Sequence, residues 1–235
     1  MLDIKNLVLA YGVNRVVRDV SFSVQAGEVF ALLGPNGAGK TSILRAISGL
    51  VPTVSGDILF EGKSLLKRRP HAIVLDGIAH VPEGRQIFPE MSVHDNLLVG
   101  ATVHITNRSR VRELEARCLD LFPIIRERGR QAGGTLSGGE QQQLTIARGL
   151  MADPKLLIVD EPTLGLAPAI INTVAESFRK LRDLGLTIVL AEQNAEFALK
   201  VADHGVVLAS GELSFSGSVS ALKDRETLRR AYMGA

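Results

Sequence analysis

The sequence is poor in cysteine and in aromatic side chains. Among its 235 residues there is one cysteine, Cys118, there is no tryptophan, and aromatic residues make up 4% of the chain. A single cysteine cannot form an internal disulfide, which fits a reducing cytoplasm. Few aromatic side chains leave few platforms on which single-stranded nucleic acid could stack. The composition therefore favours an intracellular protein and gives little support to nucleic-acid binding.

The chain also lacks an excess of one charge and any long apolar run. Lysine and arginine total 27 against 25 acidic residues, a formal net charge of +2, so there is no broad basic surface for nucleic acid. No apolar run approaches the ~20 residues that span a bilayer, and the first residues do not resemble a secretory signal. If this protein works at a membrane, we expect another chain to do the spanning.

The apolar pattern predicts a single large α/β unit with one inserted helical stretch. We predict strands at 4–9, 19–24, 29–33, 58–60, 78–81, 156–159, 187–190 and 206–209. We predict helices at 42–50, 71–75, 94–100, 108–122, 138–151, 169–184 and 195–201, and two short helices over 218–232. The mostly helical part from about 92 to about 135 is expected to form a lobe inserted into a core of about 1–91 and 136–235. Strands and helices alternate in the second half, so ligands are expected at the carboxyl ends of the strands.

A glycine-rich loop between an apolar strand and a helix has the spacing of a phosphate-binding P-loop, or Walker A motif. The loop comprises Gly34, Pro35, Asn36, Gly37, Ala38, Gly39, Lys40 and Thr41, and Ser42 follows it in the helix. Its glycines allow backbone N–H groups to turn toward phosphate oxygens. Lys40 is expected to reach the outer phosphates, and the Thr41 hydroxyl is expected to contact Mg²⁺. The alternative, an ordinary glycine-rich turn, is disfavoured because strand and helix patterns flank the loop.

A second chemical signal is the acidic pair Asp160 and Glu161, which follows the apolar strand 156–159. In P-loop nucleotidases such a strand ends in a carboxylate that completes the Mg²⁺ shell, which assigns the metal to Thr41 and Asp160, with Glu83 expected nearby. Because neighbouring strand residues point to opposite sides, Glu161 is expected to face elsewhere and to polarise water. The alternative is a pair of acidic residues in solvent.

A second anion-binding candidate lies in the run Leu136-Ser137-Gly138-Gly139-Glu140-Gln141. It combines a serine hydroxyl, two small residues and the free N–H groups at the start of a helix. One triphosphate does not need two such sites from unrelated directions. The pairing of a P-loop with this LSGGE run resembles the ATP-binding cassette (ABC) ATPases.

That resemblance covers nearly the whole chain and implies both a fold and an assembly. The fold it implies is α/β: a P-loop NTPase core sheet with an N-terminal antiparallel β subdomain and an inserted α-helical signature subdomain. In this family, Ser137, Gly138, Gly139 and Glu140 would close over ATP held by the P-loop of a partner subunit, so a dimer with two ATP molecules is implied. Tyr11 matches the aromatic residue that stacks on adenine; on spacing alone, a tyrosine that caps the strand edge is equally consistent.

Three departures from the common family pattern point to a subgroup. Glu83 stands where the family usually has glutamine, Gln193 where it usually has a switch histidine, and Ala167 where many relatives have aspartate. Together, and with the ending 230–234, they resemble the LivF-type ATPases of branched-chain amino-acid importers. Without a titratable histidine, hydrolysis is expected to depend chiefly on Glu161, with Lys40 offsetting charge and Gln193 sensing the γ-phosphate.

The subgroup resemblance implies partners as well. They are a second ABC ATPase subunit (LivG-like) or a second copy of this chain, two transmembrane permease subunits and, indirectly, a solute-binding protein. The chain would lie at the cytoplasmic face of the plasma membrane, with Glu83, Gly84 and Arg85 as the candidate coupling segment. The same role in a urea or amide importer is the alternative.

Other functional classes explain the motifs less well. Soluble relatives that act on ribosomes usually carry two cassettes, and those that act on DNA carry long coiled coils; this chain has one cassette and no sustained heptads. A GTPase or a small-molecule kinase with the same P-loop would leave LSGGE unexplained.

Overall fold

The computed structural model describes residues 1–224 together with Arg229 and Tyr232. The strands are β1 (Leu2–Tyr11), β2 (Asn14–Val24), β3 (Val29–Leu33), β4 (Thr53–Phe60), β5 (Lys63–Ser64), β6 (Ile78–Val81), β7 (Leu156–Asp160), β8 (Thr187–Glu192), β9 (His204–Ala209) and β10 (Glu212–Ser218). The α-helices are α1 (Lys40–Ile47), α2 (Pro70–Leu75), α3 (Val93–Val99), α4 (Arg108–Leu121), α5 (Pro123–Glu127), α6 (Gly138–Leu150), α7 (Pro168–Asp183) and α8 (Ala195–Val201). Short 3₁₀ helices occupy Gly100–His104, Gly133–Thr135 and Val219–Lys223.

The strands form two sheets. An antiparallel sheet has the order β2-β1-β4-β5, and a larger sheet has the order β10-β9-β3-β8-β7-β6. In the larger sheet all neighbours are parallel except β10 and β9. The predicted fold class is confirmed, with a parallel core, an N-terminal antiparallel sheet and a helical stretch between β6 and β7.

The central strands are apolar on both faces because both faces are covered. In β3, Val29, Ala31 and Leu33 face the layer of α6, α7 and α8, whereas Phe30 and Leu32 face α1 and the antiparallel sheet. β7 and β8 alternate in the same way. Two cores therefore share one sheet, and that sheet fixes the ends of β3, β7 and β8 next to one another.

The helices of the middle stretch pack on the larger core. Leu97, Leu114, Phe122 and Ile125 are all buried in the cluster that also contains Leu144 of α6. The boundaries of the inserted lobe, at about residues 92 and 135, stay a prediction, because the packing is continuous across them.

Some predicted boundaries were wrong. Helix α1 ends at Ile47 and does not continue to Leu50, because Gly49 adopts a left-handed conformation with φ of +70° and Leu50 N–H donates to the carbonyl of Arg45 at 2.8 Å. This is the 6→1 bond of a Schellman ending.

Two further predictions differ from the structure near the chain ends. The strand predicted at 4–9 extends to Tyr11, the last residue of β1, which pairs with Asn14. Strand β10 was not predicted, and its pairing with β9 extends the larger sheet. The 3₁₀ helix Val219–Lys223 occupies the start of the predicted tail helices. The rest of that prediction, and the ending 230–234 apart from Tyr232, lie outside the described residues.

Candidate active site

The loop that follows β3 needs its glycines. Gly34, Gly37 and Gly39 have φ of +151°, +80° and +105°, values that other residues rarely adopt. A Cβ at Gly34 would lie 2.3 Å from the carbonyl oxygen of Leu208, and one at Gly39 would lie 2.7 Å from that of Val16. The loop opens onto a cleft of about 290 Å³. The cleft is lined by Asn36, Gly37, Ala38, Gly39, Lys40, Thr41, Ser42, Glu83, Glu161 and Leu164.

Lys40 is the buried cation of this cleft. Its side chain is 4% exposed, and its ammonium donates to the carbonyls of Gly34 at 2.8 Å and Pro35 at 3.2 Å. The same nitrogen lies 3.1 Å from a carboxylate oxygen of Glu161. The lysine charge is thus held over the loop where phosphates would enter, and it is balanced by the carboxylate that we predicted to act on water.

Thr41 and Asp160 meet at the bottom of the loop. The Thr41 hydroxyl donates to an Asp160 oxygen at 3.1 Å. Burial raises the pKa of Asp160 to about 6, against the opposing effect of the Thr41 hydrogen bond. A hydroxyl and a carboxylate are hard oxygen ligands of the kind that Mg²⁺ accepts together with phosphate oxygens and water. The described residues contain no cluster of three or more histidine, cysteine, aspartate or glutamate side chains suited to a metal.

Glu161 does not face away from the loop as strand alternation predicted. It lies one residue beyond β7, with φ of +46°, and its N–H donates to the carbonyl of Ala191 at 2.9 Å. Because alternation ends with the strand, this turn directs Glu161 toward Lys40 while Asp160 contacts Thr41. Both carboxylates therefore serve one cleft.

Tyr11 stands beside the start of α1. Its ring is 45% exposed, and its hydroxyl lies 3.4 Å from that of Ser42. An exposed ring next to the phosphate loop is available for stacking on a base.

The segment from Glu83 to Gln86 connects the cleft with α6. Gly84, Arg85 and Gln86 have φ of +81°, +63° and +42°, a run of three left-handed residues. The carbonyl of Arg85 accepts from the Thr145 hydroxyl at 2.8 Å. Such a conformation persists because the surrounding contacts determine it.

The Arg85 side chain crosses between two other loops. Its guanidinium donates to the carbonyl of Leu164 at 3.3 Å and lies against Gly138, where a Cβ would be 3.0 Å from Nη1. Glu83 lines the cleft. The predicted coupling segment thus contacts the phosphate cleft on one side and the LSGGE helix on the other.

Four residues of the LSGGE run, Ser137, Gly138, Gly139 and Glu140, form the cap and first turn of α6. Glu140 N–H donates to the Ser137 hydroxyl at 3.4 Å, and Ser137 N–H donates to the Glu140 carboxylate at 2.7 Å, which is a capping box. Gly139 packs directly on Ile170 of α7. None of the four lines the cleft at the P-loop. Within the described part of this single chain, the two predicted anion sites are not brought together.

Gln193 is exposed in the turn after β8 and is not among the residues that line the cleft. The Tyr232 hydroxyl donates to its carbonyl at 3.2 Å. The predicted sensor is therefore near the site through its backbone turn, while its side chain does not reach the cleft.

The prediction missed Leu164 and Glu192. Leu164 lines the cleft and is 54% exposed. Glu192 ends β8 and is fully buried. The sequence did contain a signal for Glu192, because it ends an apolar strand with a carboxylate, which is the pattern that identified Asp160.

Comparisons with known proteins agree on one family. A family model described as ABC transporter matches residues 17–164. The chain is 42% identical over 234 residues to the high-affinity branched-chain amino acid transport ATP-binding protein BraG of Pseudomonas aeruginosa, with all of both chains covered. It is 34% identical to the probable branched-chain amino acid transport ATP-binding protein LivF of Archaeoglobus fulgidus, over 100% of this chain and 99% of that one. It is 35% identical to the lipopolysaccharide export system ATP-binding protein LptB of Escherichia coli (strain K12), over 99% and 97%.

Solved structures give the same result. The ADP conformation of MJ1267, an ATP-binding cassette of an ABC transporter, superposes with a TM-score of 0.87 at 26% identity and covers 100% of this chain and 99% of that chain. A nucleotide-free ATP-binding cassette from an ABC transporter gives a TM-score of 0.85 at 26% identity, with 97% of each chain covered.

No helix among the described residues is long and apolar enough to cross a membrane.

Proposed function

The chain belongs to the ABC transporter family as an ATP-hydrolysing, ATP-binding subunit, and we propose that it powers the import of branched-chain amino acids. The observation that carries this proposal is the convergence of Lys40, Thr41, Asp160 and Glu161 on one glycine loop, in a chain 42% identical to BraG from end to end.

The degree of similarity to named relatives supports branched-chain amino acids as the cargo. Identity to BraG, named for branched-chain amino acid transport, exceeds the 35% to LptB, named for lipopolysaccharide export. The two proteins would share the nucleotide chemistry and differ in the membrane subunits they drive. Import of urea or short amides is the alternative within the importer class, and lipopolysaccharide export is the second candidate.

We assign the hydrolytic roles from the contacts in the cleft. Glu161 accepts a proton from, or orients, the attacking water, because, of the two carboxylates at the end of β7, it is the one that lines the cleft and contacts Lys40, whereas Asp160 contacts Thr41. Lys40 donates to the outer phosphates with the ammonium that now contacts the Gly34 and Pro35 carbonyls and Glu161. Gln193 donates its amide to the γ-phosphate, which requires its side chain to turn toward the cleft.

The nucleotide itself is placed by the backbone of the loop. Residues from Gly34 to Ser42, except Pro35, which has no N–H, direct their N–H groups at phosphate oxygens, and Tyr11 stacks on the adenine. Thr41 and Asp160 hold Mg²⁺, with Glu83 close by, and the ion would neutralise charge on the phosphate oxygens.

The assembly is inferred from the separation of the two anion sites. Since Ser137, Gly138, Gly139 and Glu140 do not line the cleft of their own chain, they serve ATP held by a second subunit, either a different ABC ATPase (LivG-like) or another copy. Two permease subunits contact residues 82–98 at the cytoplasmic face of the membrane, and a solute-binding protein delivers the amino acid to them.

The Glu161 assignment is tested by Glu161→Gln in the assembled transporter. We expect ATP binding to remain and turnover to be abolished, because the amide cannot accept a proton. Glu196→Gln, an exposed change on α8, is the matched control and should leave both unchanged. An unaltered hydrolysis rate in Glu161→Gln would contradict the role assigned to Glu161.

Cargo and partners are tested by isolating the complex from membranes. We expect a second ABC ATPase and two permeases, crosslinks from residues 82–98 to a permease, and ATP hydrolysis stimulated by leucine, isoleucine or valine with the binding protein. Stimulation by urea, an amide or lipopolysaccharide instead would reassign the cargo, and crosslinks only far from residues 82–98 would contradict the coupling segment.

A further inference from the structure

Glu192 is a buried carboxylate that the proposed mechanism leaves unused. It ends β8 with none of its surface exposed. Burial raises the pKa of Glu192 to about 7, although hydrogen bonds from Thr163 and Asn194 act in the opposite direction. An isolated carboxylate is costly to bury, so a chain that places one here must compensate it with donors.

The donors come from two different loops. One Glu192 oxygen accepts from the N–H of Thr163 at 3.0 Å and from its hydroxyl at 2.7 Å. The other oxygen accepts from the N–H of Asn194 at 3.1 Å. A single side chain thus joins the loop after β7 to the turn after β8.

These two loops carry the groups assigned to hydrolysis. Thr163 lies two residues after Glu161, and Asn194 lies one residue after Gln193. The backbone ladder between the strands ends where Asp160 pairs with Ala191, apart from one bond from Glu161 N–H to the Ala191 carbonyl at 2.9 Å. Beyond that point the Glu192 carboxylate continues the connection.

Each loop also has contacts of its own. In the turn after β8, the Asn194 side chain caps α8 by accepting from Phe197 N–H at 3.1 Å, and the Tyr232 hydroxyl donates to the Gln193 carbonyl at 3.2 Å. In the loop after β7, the Arg85 guanidinium donates to the Leu164 carbonyl at 3.3 Å. A carboxylate suits the position because both of its oxygens accept, whereas an amide would present an N–H₂ group to one set of donors.

We propose that Glu192 is a positioning residue for ATP hydrolysis, which holds the loop of Glu161 and the turn of Gln193 at a fixed separation. The inference deepens the proposed function, since it rests on the roles assigned there to Glu161 and Gln193. Glu192 does not touch the nucleotide; it acts through the two loops.

The test compares Glu192→Gln, Thr163→Val and the double variant, each as the full chain in the assembled transporter. For each, kcat and KM for ATP, affinity for a fluorescent ATP analogue, and the thermal midpoint are measured. We expect each single variant to lower kcat by roughly 10- to 100-fold, as a small misplacement of catalytic groups does. KM and nucleotide affinity should stay within about 2-fold, since the P-loop is untouched.

The double variant distinguishes a positioning role of Glu192 from simple destabilisation of the fold. We expect the double variant to be little slower than Glu192→Gln alone, because both changes break the same connection. Thr163→Ser, which keeps the hydroxyl, should restore kcat. If Glu192→Gln does not fold, the proposal is decided by comparing kcat of Thr163→Val with kcat of Thr163→Ser.

Two outcomes overturn the proposal: folded Glu192→Gln or Thr163→Val with wild-type kcat, or losses that multiply independently in the double variant. Glu161→Gln is run in parallel. If it retains turnover, the proposed function fails; if it is inactive while folded Glu192→Gln is not slowed, only the positioning role fails.

Discussion

Lys40 and Glu161 neutralise each other in the cleft, and this pairing constrains how a nucleotide enters. The two groups lie 3.1 Å apart and are almost completely buried. A phosphate that binds the Lys40 ammonium competes with Glu161 for it, since both are anions. The ion pair therefore links occupation of the cleft to the position of Glu161.

Lys40→Ala should weaken ATP binding. A hydrogen bond to a charged group contributes about 1.5–3 kcal/mol, so we expect roughly 10- to 100-fold lower affinity for ATP. Titration with a fluorescent ATP analogue measures it. Lys155→Ala, which removes an exposed lysine paired with Glu61, is the control. Equal affinities in the two variants would contradict the role of Lys40.

His80 makes the fold sensitive to acid. Burial, with the nearby charge of Arg45, lowers the pKa of His80 from 6.5 to about 4. Its Nδ1 lies 2.9 Å from the Ser48 hydroxyl, and its Nε2 is buried without a protein partner among the described residues. The neutral ring is thus the native form.

Because the native pKa of His80 is depressed, its contribution to stability is present above about pH 6.5 and is lost as the pH falls through about 4. The loss should be about 2–3 kcal/mol. Urea unfolding of wild type and His80→Gln at several pH values measures it, and the variant should lack this part of the acid dependence. His204→Gln, at an exposed histidine, should retain it. Parallel pH curves for wild type and His80→Gln would refute the assignment.

At the scale of elements, the start of α6 has two adjacent glycines with different surroundings. A Cβ on Gly139 would lie 2.3 Å from the Ile170 side chain of α7, whereas one on Gly138 would meet only the guanidinium of Arg85 at 3.0 Å. The first neighbour is fixed in a helix interface, and the second is the end of a flexible side chain.

Gly139→Ala should therefore destabilise the chain by about 1–3 kcal/mol through overpacking. Gly138→Ala should change stability by less than about 1 kcal/mol. Denaturant midpoints of the two variants give the comparison directly. Similar losses would show that α6 and α7 do not pack as closely as described.

The elements also show what the sequence could and could not predict. Strands β3 and β7 were predicted well because both faces are apolar and a motif follows each one. Strand β10 was missed because Leu213 and Phe215 alternate with serine and glycine, a weak pattern whose pairing depends on β9. Glu161 was assigned to the wrong side because strand periodicity says nothing about the turn after the strand. Glu192 was missed although it ends an apolar strand as Asp160 does, because that pattern does not reveal its partner Thr163, which lies 29 residues away.

For the whole molecule, the proposed assembly makes hydrolysis depend on two chains, because the P-loop and the LSGGE run are separate within one chain. The specific activity of the isolated chain should rise with its concentration if it pairs with itself, or on addition of the second ATPase if it does not. Activity that is independent of both would argue that one chain suffices.

Ser137→Arg tests the separation of the two sites by changing the LSGGE run. It should abolish hydrolysis but leave the ATP affinity of the single chain unchanged, because Ser137 does not line the cleft. Asn107→Arg, which alters the cap of α4 outside the proposed sites, controls for loss of a helix cap. Loss of ATP affinity in Ser137→Arg would mean that the two sites meet within one chain.

The two tyrosines of the chain lie at the two sides of this machinery. Tyr11 is next to Ser42 at the phosphate loop, and Tyr232 donates to the carbonyl of Gln193. With no tryptophan and only two tyrosines in the sequence, tyrosine fluorescence comes from these two positions alone. The unlabelled protein is thus its own spectroscopic probe: Tyr11→Phe leaves an emission that reports on the Gln193 turn, and Tyr232→Phe leaves one that reports on the phosphate loop beside Ser42.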